Sequence, residues 1–253
     1  MGNVRADQML VSQGLARSRT RAQRLIRHGR VHIERQGRQI LLTRPGEKCP
    51  EGSRFIVTPD PEDTYVSRAG LKLEALLTHT SVPLEGLAVL DVGQSTGGFT
   101  DCALAHGARQ VIGIDVGHEQ LDDELRKDAR VICIEGCNAR TLTLETIAEW
   151  APEGPDAVVM DVSFISQTLI LPALAALMPS GTPLLSLVKP QFELSPDAIN
   201  TRGLVRSTDD YDTVRTRLAS CCDTVGLDLL AWIDSPITGG DGNREFLMHA
   251  RRR

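Results

Sequence analysis

Five short apolar runs, each broken off by a polar or glycine-rich segment and followed by helical or loop text, constrain this chain more than any other feature. They are "LAVLDVG", "QVIGIDV", "RVICIEG", "DAVVMDV" and "PLLSLVK". Fully apolar strands separated by crossovers belong to a parallel sheet covered on both faces, so the body should be a doubly wound α/β fold. A helix around "AGLKLEALL" precedes the first run, and "GNREFLMHA" near the carboxyl end places Glu245 at the start of another strand. In such sheets ligands sit beyond the carboxyl ends of the strands.

The first run opens into "DVGQSTGGFTDCAL". Glycines 93, 97 and 98 let backbone approach a ligand closely, and a helix should begin near Phe99 or Thr100. Asp115 closes the second strand, where a carboxylate accepts from ribose hydroxyls. The loop reads GxxxGG where a dinucleotide fingerprint reads GxGxxG, which fits S-adenosylmethionine better than NAD. The expected cofactor contacts are Asp91, Gly93, Gln94, Ser95, Thr96, Gly97, Gly98, Phe99, Asp115, Asn138 and Asp161. Asn138, Asp161 and Lys189 end the third, fourth and fifth strands, so all three should face one cleft. "LLSLVKPQFE" sets Lys189 directly after a buried run, where an ammonium needs a partner or a task. With Lys72 and Glu245, two lysines and two carboxylates can converge there.

The first quarter differs in charge. Residues 1–60 hold 12 Lys/Arg against 5 Asp/Glu, although the whole chain of 253 residues has a net charge of −5. A basic module on an acidic body points to a polyanion. "VRADQMLVSQGLARSRTRAQRLIRHGRVHIERQGRQI" predicts two short helices stopped by Gly14 and Gly29, then a hairpin. Ser18 caps the second helix, Ala22, Leu25 and Ile26 face a core, and Arg17, Arg21 and Arg24 line another face for phosphates. Arg5, Arg19, Arg27, Arg30 and Arg68 join the candidate nucleic-acid contacts with Ser18. "TPDPEDT" reads as the linker, giving domains over 1–58 and 67–253 joined by 59–66. The six cysteines form neither CxxC pairs nor a zinc-type His/Cys array, so neither a metal site nor a disulfide framework is inferred, and a reducing cytoplasmic location fits. The longest apolar run, "LILPALAALMP", is too short to span a bilayer.

"LVSQGLARSRTRAQRLIRHGRVHI" resembles the S-four-type (alpha-L) RNA-binding module, with "ERQGRQ" in place of that family's Asn-Gly turn. Lys72, Asp161, Lys189 and Glu245 resemble the K-D-K-E tetrad of the FtsJ-type 2′-O-ribose methyltransferases. Together with "VSRAGLKLE", "DVGQSTGGFTD", "DVSFIS", "LVKPQFE" and "GNREFLMH", the whole resembles the TlyA family of ribosomal RNA 2′-O-methyltransferases, often labelled haemolysins. The resemblance implies S-adenosylmethionine as donor, cytidine ribose in ribosomal RNA or ribosomal subunits as acceptor, Lys189 as general base and the other three as its tuning and orienting partners. The chain departs from the family at Gln94, where alanine is usual, putting a larger polar side chain beside the cofactor's expected path. It also reads "GHEQLDDELRKD" for "GYGQLDWRLRND", so that His118, Glu119 and Asp123 replace a tyrosine, a glycine and a tryptophan. Other readings stay open at this point: a base N-methyltransferase, which would normally carry an Asn/Asp-Pro-Pro-aromatic turn where "MDVSFIS" stands; an RNA-binding or assembly factor that keeps the fold without catalysis; and a membrane-active haemolysin.

Overall fold

The computed structural model describes residues 2–16, 18–59 and 64–253, so Arg17 and the centre of the linker segment lie outside the described residues. The chain divides into two compact units, Met1–Val66 and Ser67–Arg253.

In the first unit, helices α1 (Ala6–Ser12) and α2 (Arg19–Arg27) pack their apolar sides, including Met9, Leu10, Ala22, Leu25 and Ile26, into one core with Val31, Ile33 and Phe55. The Ser18 side chain accepts from the Arg21 backbone N–H at 3.0 Å, which caps α2 as the sequence predicts. Gly14 and Gly29 take φ of +69° and +70°, as residues that end helices do. Strand β1 (Asn3–Arg5) precedes these helices, and β2 (Val31–Arg35), β3 (Arg38–Leu41), β4 (Lys48–Pro50) and β5 (Phe55–Val57) follow them. The hairpin β2–β3 turns on Gln36 and Gly37, both at positive φ, so glutamine occupies the place where asparagine is commoner. The structure adds what local patterning did not show: β5 pairs with β2, and β1 pairs with β4.

The second unit is built on a seven-stranded sheet. Its strands are β6 (Ala88–Val92), β7 (Gln110–Asp115), β8 (Val131–Glu135), β9 (Ala157–Met160), β10 (Pro183–Val188), β11 (Leu227–Asp234) and β12 (Phe246–Arg252). The order across the sheet is β11-β12-β10-β9-β6-β7-β8. β8, β7, β6, β9 and β10 are parallel, while β12 runs antiparallel between β10 and β11. Every residue of β6 and β9 is buried, which explains their unbroken apolar text. Helices α3 (Ala69–Thr80), α4 (Gly98–Ala105), α5 (Leu144–Ile147), α6 (Leu171–Leu177), α7 (Pro190–Glu193) and α8 (Asp210–Thr224) complete the unit. The strand order reverses between β6 and β9, and a crevice lies beyond their carboxyl ends.

Candidate active site

The crevice holds a cavity of about 300 Å³ whose wall includes Gly93, Ser95, Asp115, Asn138 and Asp161. That volume lies at the lower end of ordinary small-molecule sites. Gly93 has φ +83°, and a Cβ there would come within 2.5 Å of the Asp161 carbonyl oxygen. Only glycine lets the β6 and β9 ends approach this closely. Asp115 uses one carboxylate oxygen to accept from the Ser95 N–H at 2.8 Å and the other to accept from the Gly117 N–H at 2.7 Å. It thereby holds the glycine-rich loop against the end of β7, and each oxygen keeps a second lone pair for a hydroxyl at the cavity wall. Asn138 accepts from the Arg140 N–H at 3.0 Å, and this fixes its turn at the rim.

Several residues of the glycine-rich loop do not line this cavity. Gln94 is buried, its side chain folded against Gly113, where a Cβ would lie 2.0 Å from its amide group. Its Nε2 donates to Thr100 Oγ1 at 3.0 Å. The expectation that Gln94 stands beside the cofactor's path therefore fails, because the empty position at Gly113 takes the side chain beneath the loop. Asp91 and Phe99 are also buried behind the wall. Asp91 accepts from Thr100 Oγ1 at 2.6 Å, and its other oxygen has no hydrogen-bond partner. Burial, and secondarily the charges of Asp161 and Asp115, push its carboxyl up to about 7 against the Thr100 hydrogen bond. Gly98 allows α4 to meet α3, since a Cβ would fall 2.2 Å from Ser67 Oγ.

The segment that departs most from the family folds across the loop. Leu121 and Leu125 are buried against Gly97, whose absent side chain makes room for them, and Gln120 contributes to the cavity wall. Asp122 donates its N–H to the Thr96 carbonyl at 3.3 Å. Glu119 has φ +57°, so it occupies a left-handed backbone position in the place where the family's glycine would stand without strain.

At the carboxyl edge of β9 and β10 lie two lysine–carboxylate pairs. Lys189 Nζ is 2.6 Å from Asp161 Oδ1 and donates to Ser163 Oγ at 2.8 Å. The contact with Asp161 is an ion pair without hydrogen-bond alignment, so Oδ1 receives no hydrogen bond. Lys72 shares the buried side of α3 with Leu73 and Leu76, and its Nζ donates to Glu245 Oε2 at 2.5 Å. Both partners of that pair are buried, at 8% and 3% exposure, so their charges are matched inside the protein. Val188 pairs with Phe246, so Lys189 and Glu245 are the next residues beyond that ladder on neighbouring strands. Gly239 leaves room for Glu245, since a Cβ there would sit 2.7 Å from Oε1.

Sequence reasoning did not single out the loop after β9. Ser163 and Phe164 join the cavity wall, and Phe164 is 89% exposed at φ +64° with its ring 4.9 Å from that of Phe192. Below it, buried Glu193 accepts from Ser166 Oγ at 2.6 Å and from the Gln167 N–H at 2.8 Å, which ties the β9 loop to the segment after Lys189. The quoted "DVSFIS" contained the signal, but no local pattern marks an aromatic ring as exposed.

The arginine face of the first unit is partly used up internally. Arg5 donates to buried Asp7 at 2.8 and 3.0 Å, and Arg19 and Gln23 reach the same carboxylate at 3.4 and 2.8 Å. The hydrogen bonds from Arg5, Gln23 and Arg19 hold the Asp7 carboxyl well below the ordinary carboxylate range, against the opposing effect of burial. Arg24 donates to the carbonyls of Tyr65, at 2.7 Å, and Val66. This corrects the expectation that Arg24 stands free for phosphate: its guanidinium holds the end of its own unit. Arg27 is exposed, Arg21 and Arg30 are half-buried, and Arg68 is exposed beside Gly240 in the second unit.

A parallel sheet with one antiparallel strand near its edge, a glycine-rich loop and an acidic β7 end at the crevice together define a Rossmann-like methyltransferase domain. The chain belongs to the FtsJ-like methyltransferase family, whose model matches residues 65–252, and it carries an S4 domain over residues 4–36. The Bacillus subtilis protein YqxC is 42% identical over 245 residues, covering 97% of this chain and 84% of its own length. The Mycobacterium tuberculosis 16S/23S rRNA (cytidine-2′-O)-methyltransferase TlyA is 36% identical over 248 residues, covering 98% and 90% respectively. A solved chain from Streptococcus thermophilus that carries a hemolysin label superposes with a TM-score of 0.73 at 37% identity, covering all of this chain and 89% of that one. Among the described residues, no helix is long and apolar enough to cross a membrane.

Proposed function

We propose that this protein transfers a methyl group from S-adenosylmethionine to the 2′-hydroxyl of a cytidine ribose in ribosomal RNA, with Lys189 as the base. The observation that carries the reading is the position of Lys189: its ammonium is held between Asp161 and Ser163, both on the cavity wall, at the edge where the Lys72–Glu245 pair is buried.

The cavity suits the cofactor. It has a carboxylate at the β7 end for ribose hydroxyls, a side-chain-free approach at Gly93, and the buried, unpaired Asp91 oxygen behind the wall. Asp115, Asn138 and Gly93 would hold the nucleoside part, and Asp161 would border its reacting end. When bound, the cofactor supplies an electrophilic methyl group on a sulfonium.

The rest of the chemistry falls to the protein. A ribose hydroxyl is a poor nucleophile, so it must be aligned and relieved of its proton. The Lys189 ammonium must first release a proton to solvent; the neutral Nζ then accepts the hydroxyl proton, and Asp161 and Ser163 fix where the nitrogen stands. Lys72 and Glu245 neutralise one another, so the edge next to Lys189 carries no net charge from that pair. The exposed ring of Phe164 offers a face on which a base of single-stranded RNA can stack. The basic first unit supplies phosphate contacts through Arg19, Arg21, Arg27 and Arg30, with Arg5 and Arg19 oriented by Asp7. An enzyme that modifies ribosomal RNA would act in the cytoplasm, and that is the location this reading implies.

The test is Lys189→Ala, assayed by transfer of labelled methyl groups into ribosomal subunits and by detection of 2′-O-methylcytidine after digestion to nucleosides. Removing the base should lower turnover by about 10²–10⁴-fold, while subunit affinity stays within about twofold. Retention of parental turnover, or methyl label found on a base, would overturn the assignment.

A further inference from the structure

Between α3 and α4, away from the crevice, three side chains with metal-ligand chemistry meet. Cys102 lies on α4 and His106 caps its end, four residues on, so both project to the same side. Glu74 reaches them from α3. His106 Nε2 is 2.8 Å from Glu74 Oε2, and Cys102 Sγ is 3.9 Å from the same oxygen. One ligand atom from each of the three lies within 4.8 Å of the others.

A His–Glu hydrogen bond explains two of these residues. The third corner is the Cys102 thiol, which donates to the same Glu74 oxygen at 3.9 Å, so one carboxylate gathers both the imidazole and the sulfur. Cys102 is fully buried and in no disulfide, while the Glu74 and His106 side chains are 39% and 36% exposed. The cluster is therefore closed on the sulfur side and open to solvent on the other. Thiolate, imidazole and carboxylate about one point are the donors of a tetrahedral zinc ion with three protein ligands and one open position. Zinc bond lengths would set these atoms about 3.3–3.6 Å apart, so small side-chain rotations convert the observed cluster into a coordination shell.

We propose that Glu74, Cys102 and His106 form a zinc site separate from the methyl-transfer cavity. On binding, the Cys102 thiol releases its proton to solvent as the sulfur coordinates, and Glu74 exchanges its contact with His106 for the metal. The ion joins the helix that carries Lys72 to the helix that leads out of the glycine-rich loop. These helices already meet at Gly98, where Ser67, Ala69 and Gly70 press against α4, and the metal adds a second fastening further along both.

Titration of the metal-free, full-length protein with cobalt(II) chloride tests the proposal, since cobalt takes the same site and reports its ligands. About one cobalt per chain should bind with visible bands of tetrahedral intensity and a near-ultraviolet thiolate charge-transfer band, and zinc chloride should displace it. Cys102→Ser should abolish the charge-transfer band, and His106→Gln and Glu74→Gln should each weaken zinc binding at least tenfold. Cys221→Ser, which alters a thiol elsewhere, should change neither. If Cys102→Ser does not fold by circular dichroism, the two partly exposed variants decide. A spectrum of hydrated octahedral cobalt only, a thiolate band that survives Cys102→Ser, or unchanged zinc affinity in His106→Gln and Glu74→Gln would each overturn the site.

Discussion

Replacing Asp91 by asparagine should make the second unit less sensitive to pH, and the size of the effect follows from where the carboxyl sits. It is fully buried, with one hydrogen bond from Thr100 and one oxygen unpaired, and its folded value is pushed up to about 7 from an ordinary 3.8. Below about pH 4 the group is protonated in both folded and unfolded chains and contributes nothing. As pH rises from 4 towards 7, the unfolded chain gives up a proton that the folded one keeps, so stability falls. Above about 7 both are ionised and the cost levels off. A shift of about three units corresponds to about 4 kcal/mol. Asparagine keeps an acceptor for Thr100 and never ionises, so the variant-minus-parent difference should rise by about 2–4 kcal/mol between pH 4 and 8, the lower figure allowing for relaxation around the charge. Urea unfolding followed by tryptophan fluorescence measures this directly, because Trp150 and Trp232 both lie in the second unit. A difference that stays flat across that range would refute the reasoning.

Three further outcomes follow from the same geometry. Lys72→Met or Glu245→Leu alone strands a buried charge and should cost about 3–5 kcal/mol, whereas the double variant should recover much of that; single variants of parental stability in denaturant melts would show the pair to be loosely held. Arg24→Ala should destabilise the first unit by about 1–2 kcal/mol through the lost bonds to Tyr65 and Val66, while Arg27→Glu should leave stability unchanged and weaken rRNA binding with a shallower salt dependence. The reverse pattern in paired melting and filter-binding measurements would assign the two arginines the other way. Glu119→Gly should raise stability by about 1 kcal/mol, because glycine takes φ +57° without strain; a loss on thermal unfolding would mean that the glutamate side chain holds the segment.

The sheet was legible because its signals are local. Each buried strand must be apolar on both faces, and a turn that lets backbone approach a ligand needs glycine, so "LAVLDVG" and "STGG" announce themselves without a structure. Lys189 was legible for a related reason, as a charge ending a buried run. The first unit's helices were equally local, down to the Ser18 cap. Its β1–β4 pairing was not, since three-residue strands carry no period to read.

What needed the tertiary structure is a set of encounters between residues far apart in sequence. Lys72 meets Glu245 across 173 residues, a contact that the register of β12 and the placement of α3 decide. Asp7 lies 12 residues before Arg19 yet takes up part of its charge, so a count of basic residues overstates the face left for RNA. Gln94 looks like a cofactor contact until the empty position at Gly113 appears beneath it. Glu74, Cys102 and His106 come together only because α3 packs on α4. The amino-acid order by itself determines which segments must be buried and which turns the backbone can make, since those depend on a residue and its near neighbours. Which charged groups neutralise, orient or ligate one another depends on distances that only the packed chain sets, because electrostatic and coordination energies change over a few ångströms.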